Sequence, residues 1–102
     1  DERITIVNSF LKARMQGKYD EAMKYLSKAY KSKIDANKLK SIVPYGSVTA
    51  VDIFDSQRGD WVVVIIRDIW GTSRVFKFVP VNEKDEYGNF KIDEILEIPR
   101  AN

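Results

Sequence analysis

The sequence predicts an α+β domain, with N-terminal helices packed on a curved antiparallel sheet of four or more strands. Two observations carry this expectation. Residues 1–43 are rich in Lys, Ala, Met and Leu, whereas residues 47–98 are rich in Val, Ile, Phe and Trp, so helix formers precede strand formers. That order segregates the two element types instead of alternating them, which points to two layers and not to a parallel βαβ sheet. In addition, short polar turns separate the strand candidates, which makes consecutive strands antiparallel neighbours. With 102 residues, 44% hydrophobic and 31% charged, the chain supports one core, and a single domain over residues 1–102 is expected.

The first predicted helix runs from about Glu2 to Met15, because Ile4, Val7, Phe10, Leu11 and Met15 recur at helical spacing and Gly17 follows as a stop. The second spans about Tyr19 to Tyr30, with Tyr19, Ala22, Met23, Leu26, Ala29 and Tyr30 on its apolar stripe. A third is expected around Asp35 to Ile42, capped by Asp35 or Ser32 and ended by Pro44, Tyr45 and Gly46. Four strands follow. Ser47 to Asp55 alternates, with Val51 and Ile53 on one face and Val48, Ala50 and Phe54 on the other. Trp61 to Trp70 is apolar on both faces, so it is expected at the centre of the sheet and covered on both sides. Arg74 to Val81 places Phe76 and Phe78 together. After a polar loop from Asp85 to Asn89, Phe90 to Ile98 places Phe90, Ile92, Leu96 and Ile98 on one face.

Composition narrows the chemistry. The chain has no cysteine, which excludes disulfides, thiol nucleophiles and zinc–thiolate sites. It has no histidine, which removes the commonest general base and metal ligand. There is no glycine-rich phosphate loop, metal-ligand spacing, nucleophile elbow or cofactor motif, so neither a cofactor nor a metal is expected. A net charge of +2 gives weak attraction to polyanions, so nucleic acid is not an expected partner. The lysines at 12, 18, 24, 28, 31, 33, 38 and 40 are read as a solvated helix surface, with a basic face for an anionic surface as the alternative. No apolar run reaches the roughly 18 residues of a membrane span.

Two segments carry a family resemblance. Gly17-Lys18-Tyr19-Asp20-Glu21-Ala22-Met23-Lys24-Tyr25-Leu26-Ser27 resembles the junction of the first two helices in nuclear transport factor 2-like (cystatin-like) domains. Tyr87-Gly88-Asn89-Phe90-Lys91-Ile92-Asp93-Glu94-Ile95 resembles their last strand, which often opens with Gly, a polar residue, an aromatic, a polar residue and Ile. The resemblance implies a cone, with the sheet wrapped around the helices, and it covers nearly the whole chain in element order. It implies a pocket inside the cone and a homodimer through the outer sheet face. It does not fix an activity, because the superfamily includes isomerases, dehydratases, hydrolases, transport adaptors and bacterial domains of no known reaction. Many small bacterial members look envelope-associated. A chain opening on Asp1, read as processed or as a segment of something longer, suits a membrane-anchored or secreted protein.

The candidates to line such a pocket are Tyr25, Tyr30, Trp61, Phe76, Phe78, Phe90 and Glu94, with core packing as the competing role for each aromatic. Glu94 interrupts the face assigned to Phe90, Ile92, Leu96 and Ile98. It is therefore expected either near a pocket mouth or paired with a helix lysine. Arg67 and Asp68 are consecutive in a strand and face opposite sides, so they cannot form a one-sided catalytic set. The two-faced apolar run Trp61–Ile66 leaves one face needing cover beyond the helices. Two function classes follow. One is a non-catalytic binding or protein-interaction domain that self-associates through the sheet. The other is a small carboxylate-dependent isomerase, dehydratase or hydrolase acting on a small apolar ligand, with no catalytic residue assigned.

Overall fold

The computed structural model describes residues 1–99. Four helices, α1 (Glu2–Met15), α2 (Tyr19–Met23), α3 (Lys28–Lys31) and α4 (Ala36–Ile42), precede four strands, β1 (Gly46–Phe54), β2 (Trp61–Asp68), β3 (Ser73–Asp85) and β4 (Gly88–Ile98). The strands form one open, somewhat curved antiparallel sheet in the order β1-β2-β3-β4. The α+β class and the helices-first layering are therefore as the sequence predicts.

α1 begins where the Asp1 carboxylate accepts a hydrogen bond from the Arg3 backbone N–H at 2.8 Å, which satisfies one of the free donors of the first turn. Its buried stripe, Ile6, Val7, Phe10, Leu11 and Arg14, lies on the inner sheet face. There Val62, Val64 and Ile66 of β2, Phe76 and Phe78 of β3, and Ile92 and Ile95 of β4 complete the core. Phe10 meets Phe78 edge-on, with ring centroids 5.7 Å apart. The Arg14 guanidinium, although buried, donates to the Val43 carbonyl at 2.9 Å and packs over Tyr19.

The single helix expected over Tyr19–Tyr30 is two short helices, α2 and α3, split by an extended residue. Leu26 bridges to Ile92 of β4. The Ile92 N–H donates to the Tyr25 carbonyl at 2.8 Å, and the Ser27 N–H donates to the Ile92 carbonyl at 2.9 Å. Ser27 then caps α3 by accepting from the Tyr30 N–H at 3.0 Å, while its hydroxyl donates to Asp93 at 2.7 Å. Tertiary backbone pairing wins over helix propensity here, and a serine competes well only at a cap.

β4 can reach Leu26 because it is bulged. Val79 pairs with Glu94, but Pro80 pairs with Ile92, so Asp93 is an extra residue opposite the proline. The bulge reverses the side-chain phase. Ile92 and Ile95 both face the core, and Glu94, Leu96 and Ile98 share the opposite face. The expected common face of Ile92, Leu96 and Ile98 is thus corrected. Glu94 does not point toward the core layer. A second irregularity, at Val48/Ala50, turns Val48 into the row of Ile66 and away from Ala50 and Phe54. The expected loop Asp85–Asn89 is tighter than the composition suggests: β3 extends through Asp85, and β4 resumes at Gly88, whose φ of +145° few other residues adopt.

One ion pair ties this hairpin together. The Lys91 ammonium, 1% exposed, meets the Asp85 carboxylate at 2.7 Å and also donates to the Phe90 carbonyl at 3.2 Å. The hydrogen bond from Lys91 holds the Asp85 carboxyl below its ordinary value, and the Tyr87 N–H adds to this. A depressed folded-state value stabilises the fold above the ordinary carboxylate range, and that contribution is lost as pH falls through the depressed value. Protonating Asp85 also leaves a buried ammonium without its counter-charge. Thermal melting across acid pH checks this: the native chain loses stability through that window, and Asp85→Asn shows a shallower loss. The slope does not vanish, because Arg74 holds Glu97 low in the same way.

Candidate functional site

The seven candidates do not converge on a single pocket inside a cone. Phe76 and Phe78 are fully buried and fill the space between α1 and the sheet. Tyr30 is also in the core, where its hydroxyl accepts from the Ile95 N–H at 3.3 Å, and burial pushes its phenol up from the ordinary value. Tyr25 and Phe90 are half-buried and share a surface cleft of about 190 Å³ with Glu2, Ile6, Ser9 and Tyr87. Trp61 and Glu94 lie on the outer face of the sheet, Glu94 exposed.

The acids disperse likewise. Asp68 accepts from the Trp70 and Thr72 N–H groups, both at 3.0 Å, and so builds the β2–β3 turn. Asp93 is engaged by Ser27. Asp52 is exposed in β1. Glu94 adds to the rise at the Tyr30 phenol, yet its own carboxylate is exposed, so the pair does not form the buried acid–phenol point that proton abstraction beside a carbonyl would require. Among the described residues, no cluster of three or more potential ligands could hold a metal ion, and no helix is long and apolar enough to cross a membrane.

The outer sheet face is the larger feature. β2 is interior to the sheet, yet only its inner row of Val62, Val64 and Ile66 is buried, while Trp61, Val63 and Ile65 are half-buried. The expected cover on both sides is therefore present on one side only among the described residues. Cross-strand register assembles the outer rows. Ala50 lies opposite Ile65, Ile65 opposite Val75, and Val75 opposite Ile98. In the next row Asp52 faces Val63, Val63 faces Lys77, and Lys77 faces Leu96. Beyond that, Phe54 faces Trp61 and Val79 faces Glu94. Phe54 stacks on Trp61 at 4.9 Å, and the Lys77 ammonium stands 4.0 Å from the Trp61 ring centroid. Leu96 and Ile98 are 45% and 42% exposed, far from the burial usual for such side chains. The formal charges on this face, Asp52 and Glu94 against Lys77 and Arg67, balance.

The two-faced apolar run of β2 was the signal for this surface. The parts contributed by Leu96 and Ile98 had no sequence signal, because the Pro80 bulge hides their true face. A second exposed apolar feature is the β2–β3 tip, where Ile69 and Trp70 are 66% and 81% exposed on a turn fixed by Asp68. Comparison with protein-family models, with curated proteins and with solved structures found no match.

Proposed function

We propose that the chain is a non-catalytic protein-interaction domain that associates with a second copy of itself through the outer face of the sheet. One observation carries the reading. Among the described residues, an outer face that bears apolar side chains from all four strands is only partly covered, with Phe54, Leu96 and Ile98 exposed, while the inner face is closed by a filled core. Balanced charge favours a self-complementary partner over a polyanion or polycation, because a two-fold arrangement presents the same acids and bases to one another. The nuclear transport factor 2-like assignment is carried as part of this proposal. It rests on the two segments Gly17–Ser27 and Tyr87–Ile95. A bacterial, envelope-associated setting follows from that resemblance alone. The enzyme reading gains no support from the dispersed acids and the filled core.

Trp61 reports on the face directly. The chain has two tryptophans, so Trp70→Phe leaves Trp61 as the single indole emitter. Its emission is expected to shift to the red as the protein is diluted from high micromolar to nanomolar concentration, as a covered indole becomes hydrated. Emission that stays constant over that range would count against cover by a second copy.

A further inference from the structure

On the helical side of the sheet, away from the outer face, one cleft combines three aromatic rings with a carboxylate. Its wall on α1 is formed by Glu2, Thr5, Ile6 and Ser9, with Ile6 buried at the base. Opposite stand Tyr87 and Phe90 from the β3–β4 turn and the start of β4, and Tyr25 closes the third side. Tyr25 and Tyr87 meet edge-on, with centroids 6.5 Å apart and planes at 69°, so the two rings form a corner and not a stack. Gly88 lies between Tyr87 and Phe90 in the lining, and a side chain added there would extend toward Ile6. Both Glu2 carboxylate oxygens accept from the Asn89 amide, at 3.0 and 3.1 Å, which fixes the carboxylate at the rim.

Aromatic faces attract cations, and a neighbouring carboxylate strengthens the attraction. The Tyr87 ring already serves in this way, since the Lys24 ammonium stands 5.6 Å from its centroid. No lysine or arginine is among the lining residues. The positive end of α1 is met by the Asp1 cap as well as by Glu2. Hydrogen-bond supply then selects the kind of cation. A primary ammonium has three donors to satisfy when it leaves water, but the Glu2 carboxylate, already engaged by Asn89, and the Thr5 and Ser9 hydroxyls all stand on the α1 wall, and the other sides are lined mainly by aromatic rings. A methylated ammonium has few or no donors and loses little there. The cleft, about 190 Å³, is smaller than a typical drug-sized site and suits one headgroup. We infer that the Tyr25–Tyr87–Phe90 cleft with Glu2 is a binding site for a quaternary or methylated ammonium group.

The test is an amide-resonance titration of the isotope-labelled chain with choline and, in parallel, with dimethylbutanol, its neutral carbon isostere. Choline is expected to shift the Gly88, Asn89 and Phe90 amides in a saturable way and to bind about fivefold to tenfold more tightly than the isostere. Tyr87→Leu, which keeps an apolar side chain at an exposed position, should weaken choline by about fivefold or more, and Glu2→Gln should weaken it less. Lys24→Gln, which clears the chain's own cation from the ring, should tighten it. Equal binding of choline and the isostere, full retention of affinity in Tyr87→Leu, or no saturable shift at those amides would each overturn the inference. Unchanged amide spectra away from the cleft confirm that the variants are folded.

Discussion

Replacing Phe78 with alanine is expected to cost about 3–5 kcal/mol of folding stability, a large part of the roughly 5–15 kcal/mol that a domain of this kind possesses. Phe78 is fully buried in the middle of β3, opposite Val62 on β2 and Ile95 on β4, and its ring meets Phe10 of α1 edge-on. It therefore joins both layers, and truncation removes contacts on every side at once. The cavity has little means of collapse, since its walls are paired strands and a helix. Denaturant unfolding followed by far-ultraviolet circular dichroism checks this, with Trp70→Ala as the contrast. Trp70 is the larger side chain, but at 81% exposed its loss should change stability by no more than about 0.5 kcal/mol. A comparable loss in both variants would contradict the assignment of the core to the inner face.

Ile65→Glu should have the opposite profile, with a modest effect on the fold and a large one on association. Ile65 lies on the outer face between Ala50 and Val75, half-buried, with the fully buried core on the other side of its strand. A glutamate there gives up cross-strand apolar contacts worth about 1 kcal/mol and keeps its charge in water in the isolated chain. Under a second copy the same carboxylate is desolvated among Val63, Val75 and Ile98. An unpaired charge buried at an interface costs about 3 kcal/mol or more, which corresponds to at least about a hundredfold weaker association. Sedimentation beside thermal unfolding separates the two effects. Loss of folding together with association would remove the distinction between the faces.

The order of elements was legible because it depends on composition and period. The helical spacing of Val7, Phe10 and Leu11 and the strand alternation of Val62, Val64 and Ile66 are local signals that no other part of the chain overrides. What could not be read depends on long-range pairing. Ser27 becomes a cap and Leu26 a bridge only because β4 bulges to meet them, and that bulge is set by Pro80 on a different strand. The same bulge moves Glu94 and Leu96 to the outer face, so an acid expected near the core layer is a solvated residue of the sheet surface. The aromatics proposed to line a pocket could not be divided among core, outer face and cleft, because alternation assigns faces within a strand but says nothing of how tightly helices close over them. Tyr25 and Phe90 were pocket candidates, but this cleft, outside the core and completed by Glu2 and Tyr87, was not foreseen. Its members come from α1, the break after α2 and the β3–β4 turn, segments that only the folded chain brings together.

Sedimentation equilibrium of the unmodified chain over a wide concentration range reads self-association without any variant or label. Self-association through the outer sheet face predicts a mass that rises from one chain to two with concentration, and a single-chain mass throughout for Ile65→Glu. A single-chain mass for the unmodified protein at every concentration, or an unchanged two-chain mass in Ile65→Glu, would contradict it.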